Sequence, residues 1–393
     1  MNEFNAPHPD LIQPGKATVL MGGQYGSEAK GLAAGVVHLL SGTSVPKWCT
    51  TNAGAQAGHT TVMGMNKTFV CYHLPTLGVL DRHSNIYVNA GAVIDPDLFN
   101  REIAGVAAVT GENEDRLRGR IFVDPYAAVI WGSDHISDVQ SARIGSTMKG
   151  IGPALANKIM RRDDAVVKND HRMKELGISI RRVDLMAELR KKHAVTIEIP
   201  QGTGLSLNSS GHYPYTTSRE CWLGQGLTDA AVHPSYLAQS IMVCRTLPIR
   251  VGNVFDEEGK QIGTSGPFCM DSRELDWSMH LPSIEPERTT VTKRIRRIAT
   301  WSTYQYERSL YLNRPDMVVL TFCNYLSWEN LRTLAGMIAT SNARVGLEPR
   351  MLFSWGPNSI QTSPVLEACR PHCRLHDNGQ DAIHAALMNE GEF

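Results

Sequence analysis

Short apolar runs alternate along this chain with longer segments that have helical periodicity. Residues 17–23 form an apolar run that ends in glycine, and residues 28–40 follow with leucines and Val36 at helical spacing. A short apolar run bounded by glycine is typical of a buried strand, and apolar residues three or four positions apart are typical of one helix face. The pattern predicts a strand, a glycine-containing turn and a helix.

The same two patterns recur to the end of the chain. Further strands are predicted at 69–74, 86–89, 121–123, 196–199, 241–245, 317–322 and 351–354. Helices are predicted at 97–109, 155–162, 183–192, 303–313, 328–340 and 381–388. Such alternation is typical of a mainly parallel sheet covered by helices. The predicted fold class is α/β, with a mainly parallel central sheet flanked by helices.

Glycine and proline are spread through the whole chain, so no stretch stands out as an interdomain linker. The first sixteen residues are polar and proline-rich, without the basic and apolar regions of a signal peptide. No apolar run approaches the roughly 20 residues that cross a bilayer. We expect a flexible lead over residues 1–16 and a single domain over residues 17–393 with long loops.

The amino-acid composition argues against some classes of function. The 39 lysines and arginines equal the 39 aspartates and glutamates in number, and 42% of residues are hydrophobic. This balance argues against disorder and against a polycationic nucleic-acid coat. The eight cysteines show no recurring paired spacing, which indicates free thiols in a reducing compartment. We expect a cytoplasmic protein that binds neither nucleic acid nor membranes.

The strongest chemical signal is the segment 22–31, GGQYGSEAKG, at the end of the first predicted strand. Small residues let backbone N–H groups approach an oxyanion, the following helix N-terminus favours negative charge, and Lys30 supplies a point charge for phosphate. The segment is not a Walker A box, because Gly31 stands where that pattern needs Ser or Thr. Taken alone, it is either a phosphate-binding loop or a glycine-rich turn that closes a strand.

Seven further motifs follow this segment in a fixed order. They are NAGAQAGHTT at 52–61, GSTMKGIGP at 145–153, PQGT at 200–203, YPYTTS at 213–218, TTVTKRIRR at 289–297, TFCN at 321–324 and SWGP at 354–357. In this order they resemble the adenylosuccinate synthetase family, whose motifs run GQWGDEGKG, NAGHT, GTTGRGIGP, QGT, YPYVTSS, TTGRRRR, TKLD and STGP. The resemblance covers about residues 17–360, and the ordered set is far more specific than any single motif.

The resemblance implies a carbon–nitrogen ligase with a fold related to the P-loop nucleoside triphosphatases and with Mg²⁺ as cofactor. Family members phosphorylate the 6-oxygen of a purine monophosphate, and the amine of aspartate then displaces that phosphate. Phosphorylation turns a poor leaving group into a good one, while metal and basic residues neutralise charge between the phosphates.

Ser27 stands where the family has its catalytic Asp. A hydroxyl is not a base near neutral pH, and it is a weaker Mg²⁺ ligand than a carboxylate. It is also smaller and uncharged, which leaves room beside the purine for an exocyclic group such as the 2-amino group of guanine. We expect a purine other than hypoxanthine; the alternative is an inactive member of the family.

Asn324 stands where the family has the Asp that accepts hydrogen bonds from N1–H and the 2-amino group of GTP. An amide both donates and accepts, which suits the N1 acceptor and N6 donor of adenine. Phe322 replaces a Lys and can stack on that base. These changes favour ATP or dATP. Alternatively, Phe322 is the last core residue of a strand and Asn324 is a turn former.

Together these changes resemble a bacteriophage branch of the family that joins dGMP to L-aspartate. That resemblance implies the product N6-succino-2-amino-2′-deoxyadenylate, a precursor of 2-aminoadenine in phage DNA. Three other functions stay open: an ordinary adenylosuccinate synthetase that uses IMP and GTP, a small-molecule kinase, and a non-catalytic nucleotide-binding protein.

The resemblance also implies a role for each matched residue. Catalysis is assigned to Ser27, Lys30 and His59, with His59 as general acid, and the Mg²⁺ site to Ser27 and the Gly58 carbonyl. The triphosphate site is assigned to Gly26, Ser27, Glu28, Ala29, Lys30, Gly31, Gly58, His59, Thr60, Phe322, Asn324, Ser354, Gly356 and Pro357. The dGMP site is assigned to Ser27, Gln56, Ser146, Thr147, Arg161, Gln201, Thr217 and Arg294. Aspartate binding is assigned to Val291, Thr292, Arg294 and Arg296.

Each of these assignments has a simpler alternative. His59 can be a structural histidine in a loop, and the basic residues at 293–297 can form a solvated surface. Arg161 matches an arginine that reaches the phosphate of the neighbouring subunit's substrate, which implies a homodimer. The C-terminal segment contains four further candidate metal ligands, Cys369, His372, Cys373 and His376. They lack the separated pairs of zinc sites, so we favour free thiols and imidazoles, with zinc as the alternative.

Overall fold

The computed structural model describes residues 11–42, 44, 46–63, 67–138, 143–289 and 293–389. The strands among them are, in chain order, β1 (Ala17–Gly22), β2 (Trp48–Thr51), β3 (His59–Met63), β4 (Lys67–Cys71), β5 (Asn85–Val88), β6 (Val93–Ile94), β7 (Ile121–Val123), β8 (Ala128–Val129), β9 (Ser179–Ile180), β10 (Val195–Glu198), β11 (Leu237–Arg245), β12 (Ile249–Arg250), β13 (Val254–Phe255), β14 (Gln261–Gly263), β15 (Glu274–Leu275), β16 (Arg297–Ala299), β17 (Met317–Thr321), β18 (Arg350–Ser354) and β19 (Thr362–Ser363).

The α-helices are numbered in the same way. They are α1 (Lys30–Leu40), α2 (Thr76–Leu80), α3 (Pro96–Thr110), α4 (Glu114–Gly119), α5 (Gly132–Asp138), α6 (Ile151–Ile159), α7 (His171–Lys174), α8 (Leu185–Arg190), α9 (Leu223–Asp229), α10 (Trp277–His280), α11 (Thr303–Asn313), α12 (Trp328–Val345) and α13 (Asn378–Asn389).

A ten-stranded sheet organises the molecule, in the order β19-β18-β17-β11-β1-β10-β2-β5-β7-β9. Its strands pair in parallel, except that β19 runs antiparallel to β18. The predicted mainly parallel α/β fold is confirmed. Because β1, β10, β11 and β17 are parallel neighbours, their carboxyl ends meet at one edge of the sheet. Ligands of open parallel sheets bind at this edge.

The sheet is covered on both faces, and β1 shows how. Val19 and Met21 are buried in one core with residues of α11 and α12, whereas Leu20 is buried in a second core with residues of α1. Successive side chains of a strand point to opposite faces, so an apolar run without alternation fits a strand buried on both sides. The helices thereby fix the strand ends on which the site is built.

Several predicted boundaries move for local physical reasons. Helix α1 begins at Lys30 and not at Glu28, because Ala29 has a φ of 64° and lies outside the helical region. Helix α6 covers Ile151–Ile159 instead of 155–162. Pro153 is accommodated in its first turn, where a proline needs no backbone donor. The prediction took this proline as a residue ahead of the helix.

Strand β2 was missed, although all four of its residues are buried between β10 and β5. Its two threonines obscured the apolar pattern. The strand predicted at 69–74 exists as β4, but it pairs with β3 in a separate antiparallel hairpin. This hairpin begins at His59 and carries that residue to the carboxyl edge of the sheet.

Leu11 and Ile12, in the described part of the predicted lead, are buried, and Leu11 O accepts a 2.5 Å hydrogen bond from the Thr18 hydroxyl. All eight cysteines are free thiols, as predicted. Within the described ranges, no helix combines the length and apolar character needed to cross a membrane. The division into lead and single domain stays a prediction.

Candidate active site

The loop between β1 and α1 is held in an unusual backbone conformation. Gly26, Ser27 and Ala29 have φ values of 87°, 58° and 64°, in the left-handed region that non-glycine residues rarely adopt. Glu28 supports the loop from inside, because its buried carboxylate accepts backbone hydrogen bonds from Gln24 at 3.1 Å and Gly26 at 2.7 Å. The segment is therefore more than a turn that closes a strand: it is an internally bonded loop.

Lys30 begins α1, and its ammonium group is buried beside this loop. Its Nζ lies 2.9 Å from Glu28 Oε2 and also donates to the backbone carbonyl of Gln201. A buried charge is costly unless it is paired, so these contacts hold the lysine in one place. A Cβ at Gly31 would collide with the Thr60 carbonyl, so glycine lets α1 approach β3 closely.

Two cavities meet at this loop. The first cavity has a volume of about 230 Å³ and lies among segments 25–27, 56–59, 144–147 and 215–218. The second cavity has a volume of about 460 Å³ and lies among segments 27–32, 58–60 and 321–325. Five residues line both cavities: Ser27, Lys30, Gly58, His59 and Arg296. Two ligands that meet at one set of side chains are placed for transfer of a group between them.

The first cavity contains most residues that the sequence assigns to the purine monophosphate. Its wall includes Ser27, Gln56, Ser146, Thr147, Gln201 and Thr217. Both amide atoms of Gln56 are buried and find no hydrogen-bond partner among the described residues. Because an unpaired buried amide is costly, this supports a ligand contact there. Arg161 and Arg294 are not on the wall of this cavity.

Ser146 and Asp138 order the segment that precedes α6. The Gly150 N–H donates to Asp138 Oδ2 at 2.8 Å, and the Met148 N–H donates to the Ser146 hydroxyl at 3.1 Å. Helix α6 begins directly afterwards at Ile151, with the positive end of its dipole toward this segment. Ser146 and Thr147 are thus presented on an ordered loop that suits an anionic group.

The second cavity contains most residues assigned to the triphosphate. Its wall includes Ser27, Glu28, Ala29, Lys30, Gly31, Gly58, His59, Thr60, Phe322, Asn324, Gly356 and Pro357. Gly26 lines the first cavity instead. Ser354 is fully buried, and its hydroxyl donates to Gln361 O at 3.1 Å, so it supports the turn before Gly356 and does not line either cavity.

His59 lies at the junction of the two cavities with a carboxylate behind it. It is buried, and its Nδ1 is 3.8 Å from Glu198 Oε2. Glu198 ends β10 and accepts backbone hydrogen bonds from Thr76 at 2.9 Å and Leu77 at 2.7 Å. A carboxylate fixed in this way can orient the imidazole ring. His59 is therefore held more firmly than an isolated histidine in a loop.

Arg296 links the basic segment to the first loop. Its Nη1 donates to Ser27 Oγ at 2.7 Å, and its Nε lies 4.0 Å from Glu287 Oε2. Burial lowers the pKa of Arg296 to about 10, so the guanidinium remains charged at neutral pH. Of the other residues assigned to aspartate, Val291 and Thr292 lie outside the described residues, and Arg294 lies off both cavities.

Phe322 and Asn324 directly follow β17 at the second cavity. Phe322 has a φ of 58°, which is costly for a bulky residue and indicates that its surroundings force this conformation. Its carbonyl accepts a 2.8 Å hydrogen bond from the Thr246 hydroxyl. Since β17 ends one residue earlier, Phe322 is not the last core residue of the strand, and its partly exposed ring faces the cavity.

Glu198, Arg245 and Glu287 are among the charged residues around this site that the sequence analysis missed. Glu198 and Arg245 are the last residues of apolar strands and are buried. A charge at the end of a buried strand was the available signal for these two. Glu287 had none, because it stands in a polar loop before the basic segment.

The residues assigned to Mg²⁺ supply a hydroxyl and one backbone carbonyl. No group of three or more His, Cys, Asp or Glu side chains in the described ranges could hold a metal ion. Mg²⁺ usually keeps several waters and shares phosphate oxygens. Ser27 and Gly58 therefore fit an ion that arrives with a triphosphate and do not form a metal site of their own.

The C-terminal Cys and His residues form no group of three or more possible metal ligands within the part of the chain described. Cys369 is buried in the core, and His372 stacks on Trp355 with ring centroids 5.0 Å apart. His376 instead lies 3.3 Å from Asp381. Cys369 and Cys373 of this segment are free thiols.

Comparison with known proteins agrees with this geometry. The family model described as adenylosuccinate synthetase matches residues 19–177 and 164–334. An N6-succino-2-amino-2′-deoxyadenylate synthase of Salmonella phage PMBT28 is 34% identical in an alignment of 339 residues that covers 82% of this chain and 89% of the relative. The enzyme with the same description from Acinetobacter phage SH-Ab 15497 is 31% identical over 90% of this chain and 94% of its own length.

Solved structures show the same relationship. Succinoaminodeoxyadenylate synthetase (PurZ) of cyanophage S-2L, bound to dGMP and dATP as an energy donor, matches with a TM-score of 0.75 and 27% identity. The match covers 95% of this chain and 99% of that one. The fully ligated adenylosuccinate synthetase of Plasmodium falciparum shares the fold, with a TM-score of 0.69 and 19% identity.

The chain belongs to the adenylosuccinate synthetase family. It is a ligase that forms a carbon–nitrogen bond, as the resemblance implied.

Proposed function

We propose that this ligase joins dGMP to L-aspartate and converts ATP or dATP to the diphosphate and phosphate. The product is N6-succino-2-amino-2′-deoxyadenylate. The observation that carries the proposal is the small, uncharged Ser27 at the junction of the two cavities, hydrogen-bonded to Arg296. The similarity to phage synthases of that product, and to a synthetase bound to dGMP and dATP, supports the choice.

In the first step, O6 of guanine attacks the γ-phosphorus of the triphosphate. The bond from O6 to phosphorus forms, the bond from phosphorus to the β,γ-bridging oxygen breaks, and the diphosphate leaves. Lys30 and His59 line both cavities, so a cation and a hydrogen-bond donor lie where this phosphoryl group passes. Such groups stabilise charge that develops in the transition state.

The N1 proton of guanine must leave when O6 becomes phosphorylated. Ser27 is not its acceptor, because an alcohol is a poor base and Arg296 already donates to its oxygen. We expect the proton to leave to a phosphate oxygen or to water. Ser27 thereby serves to leave space and to hold Arg296.

In the second step, the amine of aspartate attacks C6. The new carbon–nitrogen bond forms, the bond from C6 to O6 breaks, phosphate leaves, and the amine loses a proton. We assign a carboxylate of aspartate to Arg296; this residue lines both cavities, and its planar guanidinium suits that group. Mg²⁺ bound with the triphosphate would neutralise charge between the phosphates.

We further propose a homodimer in which Arg161 reaches the partner's first cavity. Arg161 follows α6, is exposed and lies off its own cavity. Its neighbours Ile159 and Met160 are 76% and 59% exposed, and Ile136 on the adjacent α5 is 76% exposed. Exposed apolar side chains that cluster on one surface are typical of an interface between chains.

One assay separates the open functions. The purified protein is incubated with dGMP, aspartate, Mg²⁺ and either ATP, dATP or GTP, and mass spectrometry detects a succinylated diaminopurine deoxynucleotide. Turnover of IMP with GTP, but not of dGMP, would identify an ordinary adenylosuccinate synthetase. Diphosphate formation without aspartate would identify a kinase. Ligands that raise the melting temperature without any product would identify a binding protein.

A further inference from the structure

Phe322 has one face of its ring covered by a buried arginine. The guanidinium carbon of Arg245 lies 3.9 Å from the centroid of the Phe322 ring. Tyr325 packs edge-on against the same ring, with centroids 5.1 Å apart. The Phe322 ring still lines the second cavity and remains partly exposed. Its orientation is therefore set by Arg245 and Tyr325 together.

Arg245 is in turn held by atoms from two distant segments. It forms a two-point ion pair with Glu287, with nitrogen–oxygen distances of 2.5 and 3.2 Å. Its Nη1 also donates to the backbone carbonyl of Ser27 at 3.2 Å. The Tyr325 hydroxyl donates to Glu287 Oε1 at 3.0 Å. Arg245 thus connects the Phe322 ring to the loop that carries Ser27.

We propose that Arg245 is a positioning residue for the nucleobase of the triphosphate, because it holds the Phe322 ring as the wall on which that base stacks. This inference rests on the proposed function, since it takes the second cavity as the triphosphate site. Arg245 itself is fully buried, so it acts through Phe322.

The ion pair with Glu287 offsets the cost of burying the charged guanidinium of Arg245. Burial disfavours the charged form of Glu287, but the Arg245 guanidinium, together with Arg296 and the Tyr325 hydroxyl, holds the pKa of the carboxyl below its ordinary value. Glu287 therefore carries a full negative charge at neutral pH. A lysine at position 245 would keep the charge but lose the planar group that stacks on the ring.

The Phe322 wall also bears on selectivity between bases. A flat ring stacks on adenine and guanine alike. Asn324, two residues further on, can tell them apart by hydrogen bonding, but only if the base lies at a fixed depth and angle. We therefore expect loss of the Arg245 stack to weaken ATP binding and to reduce the preference for ATP over GTP.

The test compares Arg245→Lys with a matched control, Arg120→Lys. Arg120 is also buried and forms a two-point pair with Glu112 at 3.0 and 2.7 Å, but it lines neither cavity. Binding of ATP, GTP and dGMP is measured by calorimetry. Arg245→Lys should weaken ATP binding about ten-fold, with dGMP binding changed by less than about two-fold. Arg120→Lys should bind all three as the wild-type protein does.

A double-mutant cycle with Phe322→Leu distinguishes positioning from general damage. If Arg245 acts through the ring, Arg245→Lys should have almost no further effect on ATP binding once the ring is gone. Additive losses in the double variant would overturn the inference. Should Arg245→Lys fail to fold, Glu287→Gln replaces it in the cycle and should weaken ATP binding in the same direction.

The two proposals fail differently in this design. A folded wild-type protein that binds no nucleoside triphosphate contradicts the proposed function. A wild-type protein that binds ATP, beside an Arg245→Lys variant that binds it equally well and with the same preference over GTP, contradicts only the role of Arg245.

Discussion

Replacement of Ser27 by Asp tests the space that the proposal reserves for the 2-amino group of guanine. The Ser27 hydroxyl lies 2.7 Å from Arg296 Nη1, at the junction of the two cavities. Aspartate would add a carboxylate at this point. Extra atoms in a filled site typically cost about 1–3 kcal/mol, which corresponds to a factor of roughly 5–150 in rate. The rate should therefore decrease with dGMP but not with IMP, because IMP lacks the 2-amino group.

The added charge acts on both purines alike. A carboxylate and a guanidinium about 4 Å apart attract by about 4 kcal/mol near a protein surface. Ser27→Asp should therefore hold Arg296 more tightly and raise KM for aspartate with either purine. The ratio of kcat/KM for dGMP to that for IMP cancels this shared term and isolates the effect of space.

The assay measures phosphate release with dGMP and with IMP at saturating ATP and aspartate for wild type, Ser27→Asp and Ser27→Ala. Ser27→Ala removes the hydroxyl without filling the space, so its preference for dGMP should match that of wild type. An unchanged dGMP-to-IMP ratio in Ser27→Asp would refute the steric argument, whatever happened to the absolute rates.

Three further predictions concern the choice of triphosphate base, the dimer and the stability of the fold. Asn324→Asp should shift the ratio of kcat/KM for ATP to that for GTP toward GTP by about ten-fold or more, because one exchanged pair of hydrogen bonds is worth about 1–3 kcal/mol; an unchanged ratio would remove Asn324 from base selection. A one-to-one mixture of inactive Arg161→Ala and His59→Ala chains should recover about a quarter of wild-type activity, because about half of the dimers contain one chain of each kind and each of these has one complete site out of two; no recovery would count against an arginine supplied by the partner. Burial and the nearby Arg250 lower the pKa of the His212 imidazole to about 4. The unfolded chain therefore binds a proton at this histidine at a higher pH than the folded chain does, and the stability of the fold should decrease as the pH drops from about 6.5 toward 4. Melting curves of His212→Gln should lack this part of the pH dependence.

Local sequence was enough to predict the main elements around the site. The run 17–23 became β1 at Ala17–Gly22, and the helix at 303–313 was predicted at its observed bounds. Site residues beside strands and helices, such as Lys30 at the start of α1 and Asn324 after β17, were recognised because each belongs to a short motif whose spacing is local. The boundaries that moved, at Ala29 and Pro153, depended on backbone angles that residue type alone does not decide.

The sequence did not predict which distant residues of the chain contact each other. Arg296 reaches Ser27 across 269 positions of the chain, and Arg245 reaches the same residue across 218. Neither contact has a periodicity or a spacing that a sequence pattern could reveal. The sheet order brings Arg245 to Ser27, because β1 and β11 are adjacent parallel strands whose carboxyl ends point the same way.

The sequence by itself determined an α/β ligase of a recognisable family, since a fixed order of glycine-rich and basic motifs specifies a phosphate chemistry. Only the tertiary structure decided how those motifs are supported. Glu28 beneath the first loop, Glu198 behind His59, and Arg245, which pairs with Glu287 under Phe322, are buried charges. A buried charge is stable only beside its partner, and the chain must fold before that partner is defined.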